Sequence, residues 1–129
     1  MRKTFIGIIA LVAGLVVLAS TATAAGTKGG RGIVKSGTCS ASSTWKLKAK
    51  SDDGRIETEF EVDQNRVGKR WRVTLVRNGS TVFRGIRTTL APSGSFSVNR
   101  LLAASAGTRI IATAKALTSG ETCRGAISF

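Results

Sequence analysis

Seven carboxylates, two cysteines and no histidine are what this chain offers for acid–base, metal or redox chemistry. Six of the seven acids crowd between Asp52 and Asp63, with Glu57, Glu59 and Glu61 at a spacing of two. A pair of facing carboxylates could serve a glycosidase if one were held protonated. A spacing of two, however, puts all three on one face of a strand, where Lys46, Lys48 and Lys50 are their natural partners. Asp52-Asp53-Gly54 resembles the start of a calcium loop, but two carboxylates fall short of the roughly six to eight oxygens such a site takes. A tight turn accounts for both residues. Glu121 is the only acid outside this stretch, and no imidazole is present to act as a base near neutral pH. A nuclease without histidine or a carboxylate metal cluster is equally hard to build. The residues therefore point away from an enzyme, and the expected catalytic, metal and cofactor sets are empty. Cys39 and Cys123 admit one pairing, with free thiols or a metal site as the alternatives. Two cysteines without histidine do not fill a tetrahedral zinc site, and a disulfide is expected.

The elements that must position these residues begin with a β-hairpin over Thr44 to Asp63. Trp45, Leu47 and Ala49 alternate with lysines, while Ile56, Thr58, Phe60 and Val62 alternate with acids. A period of two on both arms marks a half-buried strand pair. Asp53-Gly54 tolerates the positive φ angles of a type I′ turn and so sets the register. Lys50 then faces Glu57, Lys48 faces Glu59 and Lys46 faces Glu61, a ladder of ion pairs above a core layer of Trp45 against Val62 and Leu47 against Phe60.

A second pair, Arg70 to Arg77 and Thr81 to Thr88, turns at Asn78-Gly79. Trp71, Val73 and Leu75 face inward. A three-residue loop, Asn78-Gly79-Ser80, sets Phe83 over Leu75 and Gly85 over Val73, leaving Val82, Arg84 and Ile86 outside. Asn78-Gly79-Ser80 also matches a glycosylation acceptor on an exposed turn. Strands are further expected over Ser95 to Leu102, Thr108 to Ala116 and Thr122 to Phe129. Counting a small first strand near Ile33 to Thr38 that merges with the hairpin arm, seven short strands argue for an all-β, two-sheet antiparallel sandwich.

Arg2 and Lys3 lead an apolar run from Phe5 to Ala19 that ends in small residues, the pattern of a signal peptide over residues 1–25. The run is shorter than the roughly 20 residues of a membrane span, so no stable span is expected after its removal. The protein is expected to be secreted. Residues 26–38, Gly-rich and basic, are expected to form a flexible linker, and residues 39–129 the sandwich domain. Without Arg2 and Lys3, 18 basic residues stand against 7 acids, a net charge of +11. The first hairpin holds four basic and six acidic residues, so the remainder carries +13.

Cys39-Ser-Ala-Ser-Ser-Thr-Trp45-Lys-Leu-Lys-Ala-Lys50, the Arg70-Trp-Arg-Val-Thr-Leu75 strand and Glu121-Thr-Cys123-Arg-Gly resemble small exported actinobacterial proteins. Gly107-Thr108 before an alternating strand is similar to the approach to the sixth strand of fibronectin type III domains. The resemblance implies an extracytoplasmic Ig-like or fibronectin type III-like sandwich with one disulfide, and brings no functional residues with it. Tyrosine is absent, so the corner tyrosine of such folds is missing.

Placed in different sheets, the two hairpins would separate the charges. The outer face of the second sheet would collect Arg70, Arg72, Arg84, Arg109, Lys115 and Arg124, interleaved with Val76, Val82, Ile86 and Ile111. Such a face suits an anionic cell-envelope polymer or an acidic protein, while the plain alternative is a solvated basic surface. Nucleic acid fits less well, because Trp45 and Trp71 fall on apolar faces and leave no stacking platform. The expected function is a secreted, non-catalytic binding module. An inhibitor or toxin-like effector that binds a protein partner through the sandwich loops is the alternative.

Overall fold

The computed structural model describes residues Gly32 to Phe129. The expected signal peptide and the linker up to residue 31 lie outside the described residues. Eight strands follow in chain order: β1 (Gly32–Thr38), β2 (Thr44–Asp52), β3 (Arg55–Asp63), β4 (Arg70–Arg77), β5 (Ser80–Thr88), β6 (Ser95–Ala103), β7 (Arg109–Ala116) and β8 (Thr122–Ser128). They form two four-stranded antiparallel sheets, β1-β2-β3-β6 and β5-β4-β7-β8. Among the described residues no helix is long and apolar enough to cross a membrane.

The first hairpin has the register set by its turn: Lys50 opposite Glu57, Lys48 opposite Glu59, Lys46 opposite Glu61, Trp45 opposite Val62 and Leu47 opposite Phe60. Asp53 and Gly54 both have positive φ, 46° and 77°, as a type I′ turn requires. The second hairpin lies in the other sheet. It keeps the expected pairing of Leu75 with Phe83 and Val73 with Gly85, but reaches it by another route. Arg77 pairs with Ser80 across a two-residue Asn78-Gly79 turn, and the register shifts between Leu75 and Val76. Val82 is the extra residue of this bulge. Expected outside, it is half-buried and packs against the core, because a bulge re-aims the side chain it displaces.

Residues 32–38 are not linker. They pair along their whole length with β2, and the Cys39–Ser43 turn keeps β1 separate from the hairpin arm, so the strands number eight rather than seven. β1 shows no apolar alternation because it is an edge strand with only Ile33 and Gly37 half-buried. Gly37 is needed for closeness: a Cβ there would lie 2.9 Å from the Trp45 ring, and the Cβ of any residue replacing Gly125 would lie 2.5 Å from it. The indole thus fills a notch between the edge strands of the two sheets.

The core between the sheets contains Leu47, Ile56, Phe60, Trp71, Val73, Leu75, Ile110 and Ile127, each essentially inaccessible to solvent. Cys39 and Cys123 form a disulfide. Cys123 is itself buried in the core cluster, so the bridge ties the β1–β2 turn to the inner face of edge strand β8 as well as joining the two ends of the domain. At the opposite edge two guanidinium groups lie over the ring of Phe83 in β5, Arg87 at 4.9 Å and Arg100 of β6 at 4.2 Å from its centroid. Each is within cation–π range, and the contact of Arg100 links β6 of the first sheet to β5 of the second.

Candidate functional site

Arg70, Arg72, Arg84, Arg109, Lys115 and Arg124 are all exposed, and strand parity puts them on the outer face of the second sheet. The registers define rows across that face. Arg84, Thr74, Thr113 and Arg124 form one row over the four strands, and Ile86, Arg72, Lys115 and Thr122 form the next. Strand spacing sets Arg84 and Arg124 about 14 Å apart, with Arg72 and Lys115 between them one row away. Arg70 continues the β4 column. The side chains around Thr74 and Thr113 enclose a shallow depression of about 340 Å³ whose cationic walls are Arg72, Lys115 and Arg124.

The sixth cation stands apart. Arg109 is six residues from Lys115 along β7, about 20 Å away, beside the Asn78 turn, where its N–H donates to Asn78 Oδ1 (2.7 Å). Asn78, with a φ of 46°, is used by this turn. Two further cations, Arg66 and Lys69, belong near the group although they sit in a loop without periodicity. They line a second depression of about 180 Å³ together with Arg70. Their signal in the sequence is the acid-free run from Arg66 to Arg87.

The two outer faces differ electrostatically, the first mixing the signs and the second carrying one. On the first sheet each lysine of β2 faces a glutamate of β3. The side chains make less of a ladder than the register allows: among the described residues only Lys48 and Glu59 come within ion-pair distance, at 3.4 Å. Exposed pairs of long side chains gain little over hydration, so alignment does not oblige them to close. On the second sheet Arg72 directly faces Lys115, and among the described residues none of the six cations has a carboxylate within 4.0 Å. Like charges directly opposite one another destabilise a strand pair.

Glu121, the one acid outside the hairpin, does not reach this face. It is buried, and its Oε2 accepts the N–H groups of Ala41 and Ser43 at 3.0 Å while Oε1 accepts the Ser43 hydroxyl at 2.6 Å. This carboxylate organises the β1–β2 turn beside the disulfide. The aromatics are occupied as well. Trp71 is fully buried with its Nε1–H donating to Gln64 Oε1 (2.9 Å), and Trp45 fills the notch of Gly37 and Gly125. Among the described residues no group of three or more acids and cysteines is disposed to hold a metal ion.

Fold and site together define the class: an eight-stranded, two-sheet sandwich, tied by one disulfide, with a cationic outer face that holds no carboxylate. Compared with known proteins, the chain matches no family model, no curated protein and no solved structure.

Proposed function

We propose that the protein is a secreted, non-catalytic binding module of the Ig-like or fibronectin type III-like kind, which holds an anionic polymer of the cell envelope on the outer face of its second sheet. The observation that carries this reading is the Arg72–Lys115 pair and its surroundings. One sheet of the same small domain sets lysine against glutamate row by row, while the other sets cation against cation with no acid near. A face shaped only by stability or solubility would mix the signs. A polyanion crossing the strands meets Arg84, Arg72, Lys115 and Arg124 in turn, and arginine adds bidentate contacts to phosphate or carboxylate. The chain crosses from β3 to β4, back from β5 to β6 and over again to β7, a Greek-key path that supports the family reading. The disulfide and the apolar leader support export.

Binding to long-chain polyphosphate, followed by titration calorimetry, tests the proposal. With about five phosphate contacts, affinity is expected to fall by roughly three to four orders of magnitude between 50 and 500 mM salt. Arg72→Glu combined with Arg84→Glu is expected to lower affinity at 50 mM salt by about a hundredfold or more. Unchanged affinity in that double variant would overturn the reading. Salt-insensitive binding to a single protein from the envelope, with none to polyphosphate, would favour a protein-directed inhibitor instead.

A further inference from the structure

The end of the sandwich beside Arg70 combines charge with exposed apolar residues. Four connections meet there: the Cys39–Ser43 turn, the loop 64–69, the loop 89–94 and the turn 117–121. Backbone hydrogen bonds hold three of them in one surface. Gly68 N–H donates to Thr89 O and Thr89 N–H to Lys69 O, both at 2.8 Å, and Leu117 N–H donates to Arg70 O at 2.9 Å. On this fixed frame stand Val67, Leu90 and Leu117, which are 54, 63 and 40% exposed. They are three of the five large hydrophobic residues exposed among the described residues; the other two, Val34 and Leu101, lie on strands of the first sheet.

Isolated apolar residues on a surface are ordinary. Three on separate loops at one end, one in the connection of Arg66 and Lys69, one in the loop hydrogen-bonded to it and one hydrogen-bonded to Arg70, are not scattered. Segments 64–70, 89–94 and 116–120 contain no acid. The two acids at their margins are engaged, Asp63 with the Asn65 N–H and Glu121 within the Ser43 turn. Apolar tips with cations just behind them are the composition that seats a protein in the interfacial layer of an anionic bilayer, the tips entering the acyl boundary and the cations meeting headgroup phosphates. A soluble polyanion would make no use of the tips.

We infer that this end of the domain docks on an anionic lipid surface, with Val67, Leu90 and Leu117 inserted and Arg66, Lys69 and Arg70 against the headgroups. Docked end-on, the domain leaves the outer face of the second sheet upright and open to the envelope. The inference does not depend on that face binding a polymer.

Vesicle cosedimentation tests it, using phosphatidylglycerol–phosphatidylcholine mixtures against phosphatidylcholine alone. The protein is expected to sediment with the anionic vesicles only. Val67→Ser, Leu90→Ser and Leu117→Ser together should weaken that binding by about tenfold or more, leaving the urea midpoint and polyphosphate affinity unchanged. Tryptophan emission of a Leu90→Trp variant should shift to the blue on anionic vesicles and stay put with glycerol phosphate. Full vesicle binding by the triple variant, displacement by millimolar glycerol phosphate, or absence of the blue shift would overturn the inference. Capture of an acidic protein by the intact loop end, with no vesicle binding, would overturn it in favour of a protein partner.

Discussion

Replacing Cys39 and Cys123 together with alanine lowers the unfolding free energy by about 4 kcal/mol. The bridge joins residues 84 apart in sequence, and the entropy it removes from the unfolded chain grows with the logarithm of that separation. For a small domain whose total stability is of the order of 5–15 kcal/mol, this is a large share. The loss falls unevenly. β1 is an edge strand with little buried surface, held by its ladder to β2, by the Trp45 notch and by the bridge at its end. The Cys39–Ser43 turn keeps its Glu121 contacts and the Ser40–Thr122 hydrogen bonds without the disulfide. The double variant therefore stays folded, while the amides of β1 exchange faster than those of β3 or β7. Urea denaturation with hydrogen exchange checks this. An unchanged midpoint would mean that the bridge is dispensable, and uniform loss of protection would mean that β1 is no weaker than the core.

Gly94→Ala lowers stability by about 3 kcal/mol or more. Gly94 is buried at a φ of +71°, and an added Cβ would overlap the backbone of Asn65 and Arg66, lying 2.7 Å from the Asn65 carbonyl carbon. Backbone cannot swing aside as a side chain can. To accept the methyl group, the loops 64–69 and 89–94 must part, which strains the Gln64–Gly94 and Gly68–Thr89 backbone bonds and the grip of Gln64 on Trp71. Gly79→Ala separates this crowding from the φ penalty alone. Gly79 has a φ of +82° with nothing within 4 Å of the added atom, so about 1 kcal/mol is expected there. Equal losses in the two variants, measured by thermal unfolding, would remove the steric part of the explanation.

How far the sequence told this in advance depends on how local each determinant is. The first hairpin was legible to the residue because Asp53-Gly54 and two arms of strict alternation specify one register. The ion pairs were not, since register places Cβ atoms and leaves the ends of lysine and glutamate in water. A small strand near Ile33 to Thr38 is legible, but its glycines carry no periodicity, so neither its boundary with the linker nor its separation from the hairpin arm is. The reason for Gly37 lies in Trp45 and Gly125, a contact that no local pattern encodes. The Val82 bulge escaped notice because a three-residue loop and a two-residue turn with a bulge give the same pairing of Phe83 with Leu75. On the cationic face, parity recovered five clustered residues but not the displacement of Arg109, which needs the offset between β4 and β7. Val67, Leu90 and Leu117 were invisible as a group because they belong to three loops that meet only in the folded chain.

The account rests on the claim that cations are kept opposite one another on the second sheet for binding, at a cost to the fold. Lys115→Glu tests it most directly, because it puts a carboxylate opposite Arg72. The substitution should raise stability by about 0.5 kcal/mol and lower polyphosphate affinity by about tenfold at 50 mM salt. A variant that gained stability and bound polyphosphate as tightly as the parent would contradict the account.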